Sequence, residues 1–330
     1  MKPSPNALLS AAQVPSLLLT DPLQIRYVTG LQVSHGMLLV GARSFTLFLD
    51  GRYQEMAMKA GKRPLAIRPL DDMGRAMRTV RYCGFHGEEV TVERLQRWKR
   101  QHKNTKFVQV GDSLRFFRRT KDEEEIQNIR QALRITETVL KRIPSVLRSG
   151  MTEMQLAWQL GAWARELGAD GLSFDPIVAF GSHTSMPHHH PGKRAFRRGH
   201  LVLVDVGARY RGYCADRTEM FFTAEPTAKE RRAFAVVRAA RDAVLKAMHP
   251  GVTTHALDII AREVLDWHGM EKNFLHALGH GVGLAIHEGV SLSQRAANEK
   301  LLKNEVVAVE PGVYFPGEFG IRLEKTVIVR

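Results

Sequence analysis

Several acids in this chain stand where acids are not expected. Leu201-Val-Leu-Val204 runs directly into Asp205, and Val306-Val-Ala-Val309 runs directly into Glu310. Ile321-Arg-Leu-Glu324 leads on to Val327-Ile-Val329. A carboxylate inside an apolar run is expected to be partly buried, and an unpaired buried charge is costly. Lys or Arg can neutralise one such acid, but a metal ion is the simpler partner for several that meet at one place. Asp205 and Asp216 are joined by residues 206–215, where Arg209-Tyr-Arg-Gly212 reads as a hairpin with Gly212 at or near the turn. Glu310 and Glu324 flank the Pro/Gly-rich connection 311–317. Two hairpins, each bringing two carboxylates together, make an oxygen-rich site. Gly279-His280-Gly281 adds one imidazole, with glycines that let the backbone come close. Four carboxylates and one His suit two divalent ions such as Mn²⁺ or Co²⁺ better than one structural zinc. Taken singly, each acid reads as a surface or salt-bridged residue, and His280 as structural; the shared strand context argues for a site. The glycine spacing matches neither common phosphate-loop pattern.

The elements that must hold these residues follow from periodicity and caps. Strands are expected over 176–180, 201–206, 214–223, 306–309 and 322–329. Asp122-Glu-Glu-Glu125 opens a helix with apolar Ile126, Ile129 and Leu133, whose extent Pro144 limits. Thr152-x-x-Gln155 and Thr227-x-x-Glu230 are capping boxes; the first opens a helix to about Gly168, the second a long helix ending near residues 249–251. A further helix covers roughly 255–267. Short connections between strands point to an antiparallel sheet with helices packed on it. Before residue 118, strands at 16–20, 36–41 and 46–49 alternate with a helix between about Tyr53 and Gly61 and a basic helix carrying Val92, Leu95 and Trp98 on one face. The expected fold class is α/β (α+β), with a small α/β domain over 1–118 and a second domain over 119–330.

The 330 residues suit two domains, and no apolar run reaches membrane-spanning length. Met-Lys-Pro-Ser-Pro at the start, with Pro15 breaking the first apolar stretch, does not read as a signal peptide. Cys83 and Cys214 form neither a disulfide framework nor a metal spacing, so a cytoplasmic location is expected. The net charge is +14, and residues 1–120 hold 20 Lys and Arg against 9 Asp and Glu. With no zinc finger, RNP-type aromatic pattern or basic zipper, that surplus reads as a solvated basic face, not a nucleic-acid surface.

Residues 201–216, 276–288 and 308–329 resemble the pita-bread metallopeptidases, in their Xaa-Pro aminopeptidase and prolidase branch. Ile25-Arg-Tyr-Val-Thr-Gly30 and Asp50-Gly-Arg-Tyr53 resemble the creatinase-type amino-terminal domain of the same proteins. The resemblance implies a curved antiparallel sheet flanked by helices over 119–330. It places Asp205, Asp216, His280, Glu310 and Glu324 on the five metal-ligand positions and Glu310 also on the general base. His188 falls on a substrate-binding histidine, His276 and His287 on two further active-site histidines, and Arg322 on an arginine that helps hold the acidic ligands. It implies two divalent ions, Mn²⁺ first with Co²⁺ or Zn²⁺ as alternatives, a homodimer, and hydrolysis of the bond before a proline in second position by a metal-activated water. His287 would stabilise the oxyanion, while His188 and His276 would line the proline subsite. Two readings stay open beside it: a methionine aminopeptidase-like activity, and a non-catalytic pita-bread binding protein. The sequence departs from the family pattern at Arg217-Thr218-Glu219-Met220, where an arginine gives way to Glu219, and at Val290, where a proline is usual. The end at Arg330, directly after the last expected strand, is a third departure.

Overall fold

The computed structural model describes residues 2–60 and 65–330. The chain divides into two units, Met1–Phe117 and Arg118–Arg330. In the first, six strands form one mixed sheet in the order β4-β3-β2-β1-β5-β6. They are β1 Leu17–Leu19, β2 Met37–Gly41, β3 Ser44–Leu49, β4 Leu65–Pro69, β5 Tyr82–His86 and β6 Lys106–Val110. β1 pairs antiparallel with β2 across a connection that holds the helix Pro22–Thr29, and β2 pairs antiparallel with β3 through a tight turn, whereas β1–β5, β3–β4 and β5–β6 are parallel. The helix Gly51–Ala60 begins before Tyr53; Gly61, where its end was expected, lies outside the described residues. In the helix Val92–Gln101, Trp98 is buried and stacks on Phe107 with ring centroids 5.6 Å apart. Val92 does not share that face: it is 73% exposed, because the first turn after the Thr91 cap projects beyond the apolar contact.

The second unit is built around β9, Leu201–Val206, all of whose residues are buried. Side chains alternate across a strand, so Val202, Val204 and Val206 face one apolar cluster and Leu201 and Leu203 another. The first cluster contains Ile135, Val139, Ile143, Leu156 and Leu160, from the helices Glu123–Val146 and Glu153–Glu166. The second contains Val236, Val244, Leu257 and Leu265, from the helices Ala228–Ala247 and Thr254–Trp267. Asp205 shares the Leu201/Leu203 side and so lies deep between layers. All strand pairs described in this unit are antiparallel. The remaining strands are β7 Gly171–Leu172, β8 Ile177–Phe180, β10 Ala208–Tyr210, β11 Tyr213–Cys214, β12 Arg217–Phe222, β13 Gly279–Gly281, β14 Ser291–Leu292, β15 Val306–Val309, β16 Gly312–Phe315, β17 Phe319–Arg322 and β18 Lys325–Ile328.

The caps form as their residue types dictate. Asp122 with Glu125, Thr152 with Gln155 and Thr227 with Glu230 each make both bonds of a capping box. The helix ends at Val146, two residues beyond Pro144. Pro144 sits exposed in the last turn, where its missing N–H and the crowding of its ring against the preceding turn limit the extent of the helix. The expected strand 214–223 is interrupted at Ala215 and Asp216, and 322–329 is interrupted at Leu323 and Glu324. Both breaks fall where an acid leaves the ladder to enter the site. Thr227→Ala, which removes one exposed cap, is expected to lower stability by about 1 kcal/mol. A thermal melt showing no change would contradict the weight given to that cap.

Candidate metal centre

Strand register brings the five sequence-selected residues together. β9 pairs with β12 so that Asp205 faces Thr218, and Asp216 stands two residues before Thr218 at the mouth of β12. The turn Arg211–Gly212 closes the excursion between the two aspartates, with Gly212 at φ 79°. Val309 on β15 faces Lys325 on β18, and Gly312 on β16 faces Arg322 on β17. Glu310 and Glu324 therefore leave facing strands at the gap between two ladder segments. His280 on β13 lies opposite Ala308, beside the same gap. Its glycine neighbours are required by contact: a Cβ on Gly279 would stand 2.0 Å from the Ala308 carbonyl oxygen, and one on Gly281 2.1 Å from that of Glu288.

Asp205, Asp216 and Glu324 are buried, and each leaves one carboxylate oxygen without a hydrogen-bond partner: Asp205 Oδ1, Asp216 Oδ1 and Glu324 Oε1. The other oxygens of Asp205 and Glu324 are engaged. Arg322 Nη2 donates to Asp205 Oδ2 at 2.7 Å, and Thr218 Oγ1 donates to Glu324 Oε2 at 2.8 Å. His280 Nδ1 donates to the Gly281 carbonyl at 3.1 Å, which leaves Nε2 as the ring nitrogen that faces the acids. That nitrogen lies 3.4 Å from Asp216 Oδ2 and 3.8 Å from Glu310 Oε1. Candidate ligand atoms of Asp216, His280 and Glu324 all lie within 4.8 Å of one another.

Without a cation this arrangement is electrostatically poor. Burial, then the neighbouring Asp205 and Glu310, push the Asp216 carboxyl well above the usual range. Burial and the nearby Asp216, Asp205 and Glu310 do the same to Glu324. Burial pushes Glu310 up to about 7 against the opposing pull of Arg322 and His280. Burial would discharge Arg322, but Tyr314, Asp205 and Glu310 hold it charged. One arginine, in contact with only one of four acids, leaves the set underneutralised. Orphaned oxygens and a ring nitrogen that faces carboxylates fit divalent metal ions, which take oxygen and imidazole ligands.

The other sequence-selected residues surround this centre. Arg322 is almost wholly buried; besides Asp205 it donates to Thr218 Oγ1, Tyr314 Oη and the Pro187 carbonyl. His276 Nδ1 donates to the Ala277 carbonyl, so Nε2 accepts from the Tyr314 hydroxyl at 2.9 Å. Burial, then Arg322, lower the His276 pKa to about 4, which keeps the ring neutral. Both its nitrogens are taken, so it presents a ring face to any substrate. His287 stands edge-on to His280, with centroids 4.1 Å apart and the residue exposed. Partial burial of the ring, then His280 and His188, lower its pKa. His188 is also exposed, and its field reaches both His276 and His287.

Three participants carried no periodicity or spacing signal. Tyr314, buried on β16, links Arg322 to His276. Thr218 links Arg322 to Glu324, legible only once its register against Asp205 is known. Glu288, held by Arg118 at 2.6 Å and Lys121 at 3.0 Å, anchors the segment that presents His287. The departures fall away from the carboxylates. Glu219 faces the side of β12 opposite to Thr218 and pairs with Arg217. Val290 is buried in the apolar core.

Residues 127–330 match the model of metallopeptidase family M24, and residues 6–119 match that of the creatinase/prolidase N-terminal domain. The chain belongs to metallopeptidase family M24, and its second unit has the pita-bread fold. Among its relatives, the Xaa-Pro dipeptidase of Pyrococcus furiosus is 29% identical over 95% of this chain and 90% of the relative. The X-Pro aminopeptidase of Thermotoga maritima superposes with a TM-score of 0.90 at 31% identity, covering 98% of this chain and 94% of the other. The Xaa-Pro dipeptidase of Bacillus anthracis superposes with a TM-score of 0.94 at 28% identity, covering 99% and 94%.

The raised carboxyl pKa values have a sign that can be tested. Between the unfolded value of 4.5 and the folded value of about 7, folded Glu310 binds more protons than the unfolded chain does. The metal-free protein should therefore lose stability as pH rises through that window. Divalent ions should reverse the loss and release protons as they bind. Melts of chelator-stripped protein should show Tm falling from pH 5 to 8, with added Mn²⁺ restoring most at pH 8. A stripped Tm indifferent to pH and to metal would overturn this account.

Proposed function

We propose that the protein is a metal-dependent exopeptidase that hydrolyses the bond between a first residue and a proline in second position, in peptides or Xaa-Pro dipeptides. In this reading residues 1–118 are a creatinase-like domain and 119–330 the catalytic domain. Asp205, Asp216, His280, Glu310 and Glu324 hold two divalent ions, with Mn²⁺ favoured by the oxygen-rich set. The observation that carries the reading is the convergence of three buried, unpartnered carboxylate oxygens with the free nitrogen of His280. The proline preference rests on the relatives named above. A homodimer rests on the family resemblance alone, and a reducing cytoplasmic setting on two buried, unpaired cysteines.

When bound, the ions supply positive charge that offsets the buried acids and makes a water nucleophilic near neutral pH. The chain's own residues divide the remaining tasks. Glu310 has the most exposed side chain of the four acids, 20% against 1–11% for the others, so it is the one that can exchange protons with a reacting water. As general base it takes a proton from the attacking water and delivers it to the departing proline nitrogen, which has no N–H of its own in the peptide. In this reading His287 donates to the oxygen of the attacked carbonyl. His188 and the face of His276 line the proline subsite. Arg322, tied to Asp205 and through Tyr314 to His276, keeps ligand and subsite in register.

An assay in Mn²⁺ on Ala-Pro, on Ala-Pro-Ala and on a Met-Ala peptide tests the substrate. Cleavage before proline is expected; cleavage of the Met-Ala peptide alone would establish the methionine aminopeptidase reading instead. Glu310→Ala should cost at least about 100-fold in kcat. Retained activity would sink the assignment, and wild-type protein that takes up no metal would favour the binding-protein reading.

A further inference from the structure

In a second cluster, Glu153 with His183 and His189, the candidate ligand atoms also lie within 4.8 Å of one another, as they do in Asp216, His280 and Glu324. Its chemistry differs. Glu153 is fully buried at the start of the helix Glu153–Glu166. Its Oε1 accepts from the Phe180 N–H at 2.9 Å and from His183 Nδ1 at 2.8 Å. Its Oε2 accepts from His189 Nε2 at 2.9 Å and from the Gly192 N–H at 3.1 Å. Each oxygen has two donors and neither is orphaned, so nothing here asks for a metal ion.

All four donors belong to one stretch of chain, residues 180–192. The carboxylate ties the two ends of that stretch, and two of its histidines, to one helix start. Arg194 reinforces the closure by donating to the Phe180 carbonyl and to Ser182 Oγ. His188 lies within the stretch, exposed, and its ring has no hydrogen-bond partner among the described residues. Its neighbours are fixed on both sides by different groups. The Pro187 carbonyl accepts from Arg322 Nη1 at 3.1 Å, and His189 is held on Glu153.

We propose that Glu153 and His189 are positioning residues for His188, holding the far side of its loop while Arg322 holds the near side, so that the His188 imidazole enters the substrate space in one orientation. This rests on the functional reading above, in which His188 meets the peptide. Anchoring on a buried carboxylate is suited to the task, because hydrogen bonds to a charged acceptor are shorter and stronger than neutral ones. A single anchor at Pro187 would leave the chain after His188 free to turn the ring away.

The test is a double-mutant cycle on metal-loaded full-length protein. His189→Ala is expected to raise KM for Ala-Pro roughly 10-fold, the scale of one lost charge-assisted hydrogen bond, with kcat changed much less. Metal content should be unchanged. In a His188→Ala background the same substitution should have no further effect on KM, because a residue acting only through His188 has nothing left to orient. His189→Gln, whose amide N–H can replace Nε2, should recover the wild-type KM. If His189→Ala fails to fold, His189→Asn, polar but too short to reach, takes its place. An unchanged KM, or additive effects of the two substitutions, would overturn the proposal. A second readout separates its failure from that of the substrate assignment. In imidazole NMR, the His188 signal, identified by its loss in His188→Ala, should shift and broaden in the His189→Ala or His189→Asn protein and return in His189→Gln. If the wild type cleaves no Xaa-Pro peptide, the substrate reading fails while this signal still decides the positioning. A His188 signal indifferent to residue 189 refutes it.

Discussion

Everything in the second unit is arranged around carboxylates that the fold cannot neutralise by itself. Asp205, Asp216 and Glu324 are buried, Glu310 nearly so, and Arg322 bonds directly to only one of them. Burial and mutual repulsion push Asp216, Glu310 and Glu324 up from their usual range. A chain selected for stability alone would put apolar residues at these positions, since the flanking strands are already Val- and Leu-rich. Keeping the acids costs folding free energy that bound cations return, and it places strong ligands where water is scarce.

The precision of the site comes from backbone, not from side-chain packing. β9 and β12 carry Asp205 and Asp216 in a register read by Thr218, and that threonine in turn holds both Arg322 and Glu324. Glu310 and Glu324 leave the sheet at the gap between the β15–β18 and β16–β17 ladders. A one-residue slip of β9 would turn Asp205 to the wrong face. The close contacts of Gly279 and Gly281 fix the strand bearing His280 against its neighbours. His287, exposed at the edge of the site, keeps more side-chain freedom than the buried acids.

Much of this was legible before any coordinates. Apolar runs ending on Asp205 and Glu310 mark both strands and ligand candidates, and two capping boxes and one run of acids mark three helix starts. The misses have physical causes. Periodicity placed Val92 with Trp98, but it does not say where along a helix the contact with the sheet begins. Tyr314 and Thr218 act through contacts distant in sequence, Thr218 lying 106 residues from Glu324, and no local pattern encodes such a pairing. His189 lies on a loop, and its partner Glu153 is 36 residues away, inside a capping-box signature that gives no hint of the pairing.

The two Glu/His clusters show why residue type and spacing alone do not identify a metal site. Both bring an acid and imidazole nitrogens within the same distance. Around Glu153 every oxygen is saturated by N–H donors, and burial, which favours the neutral acid, is outweighed by those bonds, so its pKa falls. Around Asp216 the same burial is joined by like charges and one oxygen is left bare, so its pKa rises. Donor supply, not geometry, separates a carboxylate that has finished its bonding from one that still needs a cation. The first can only hold chain in place, and the chain it holds carries His188; the second is where chemistry requires a metal.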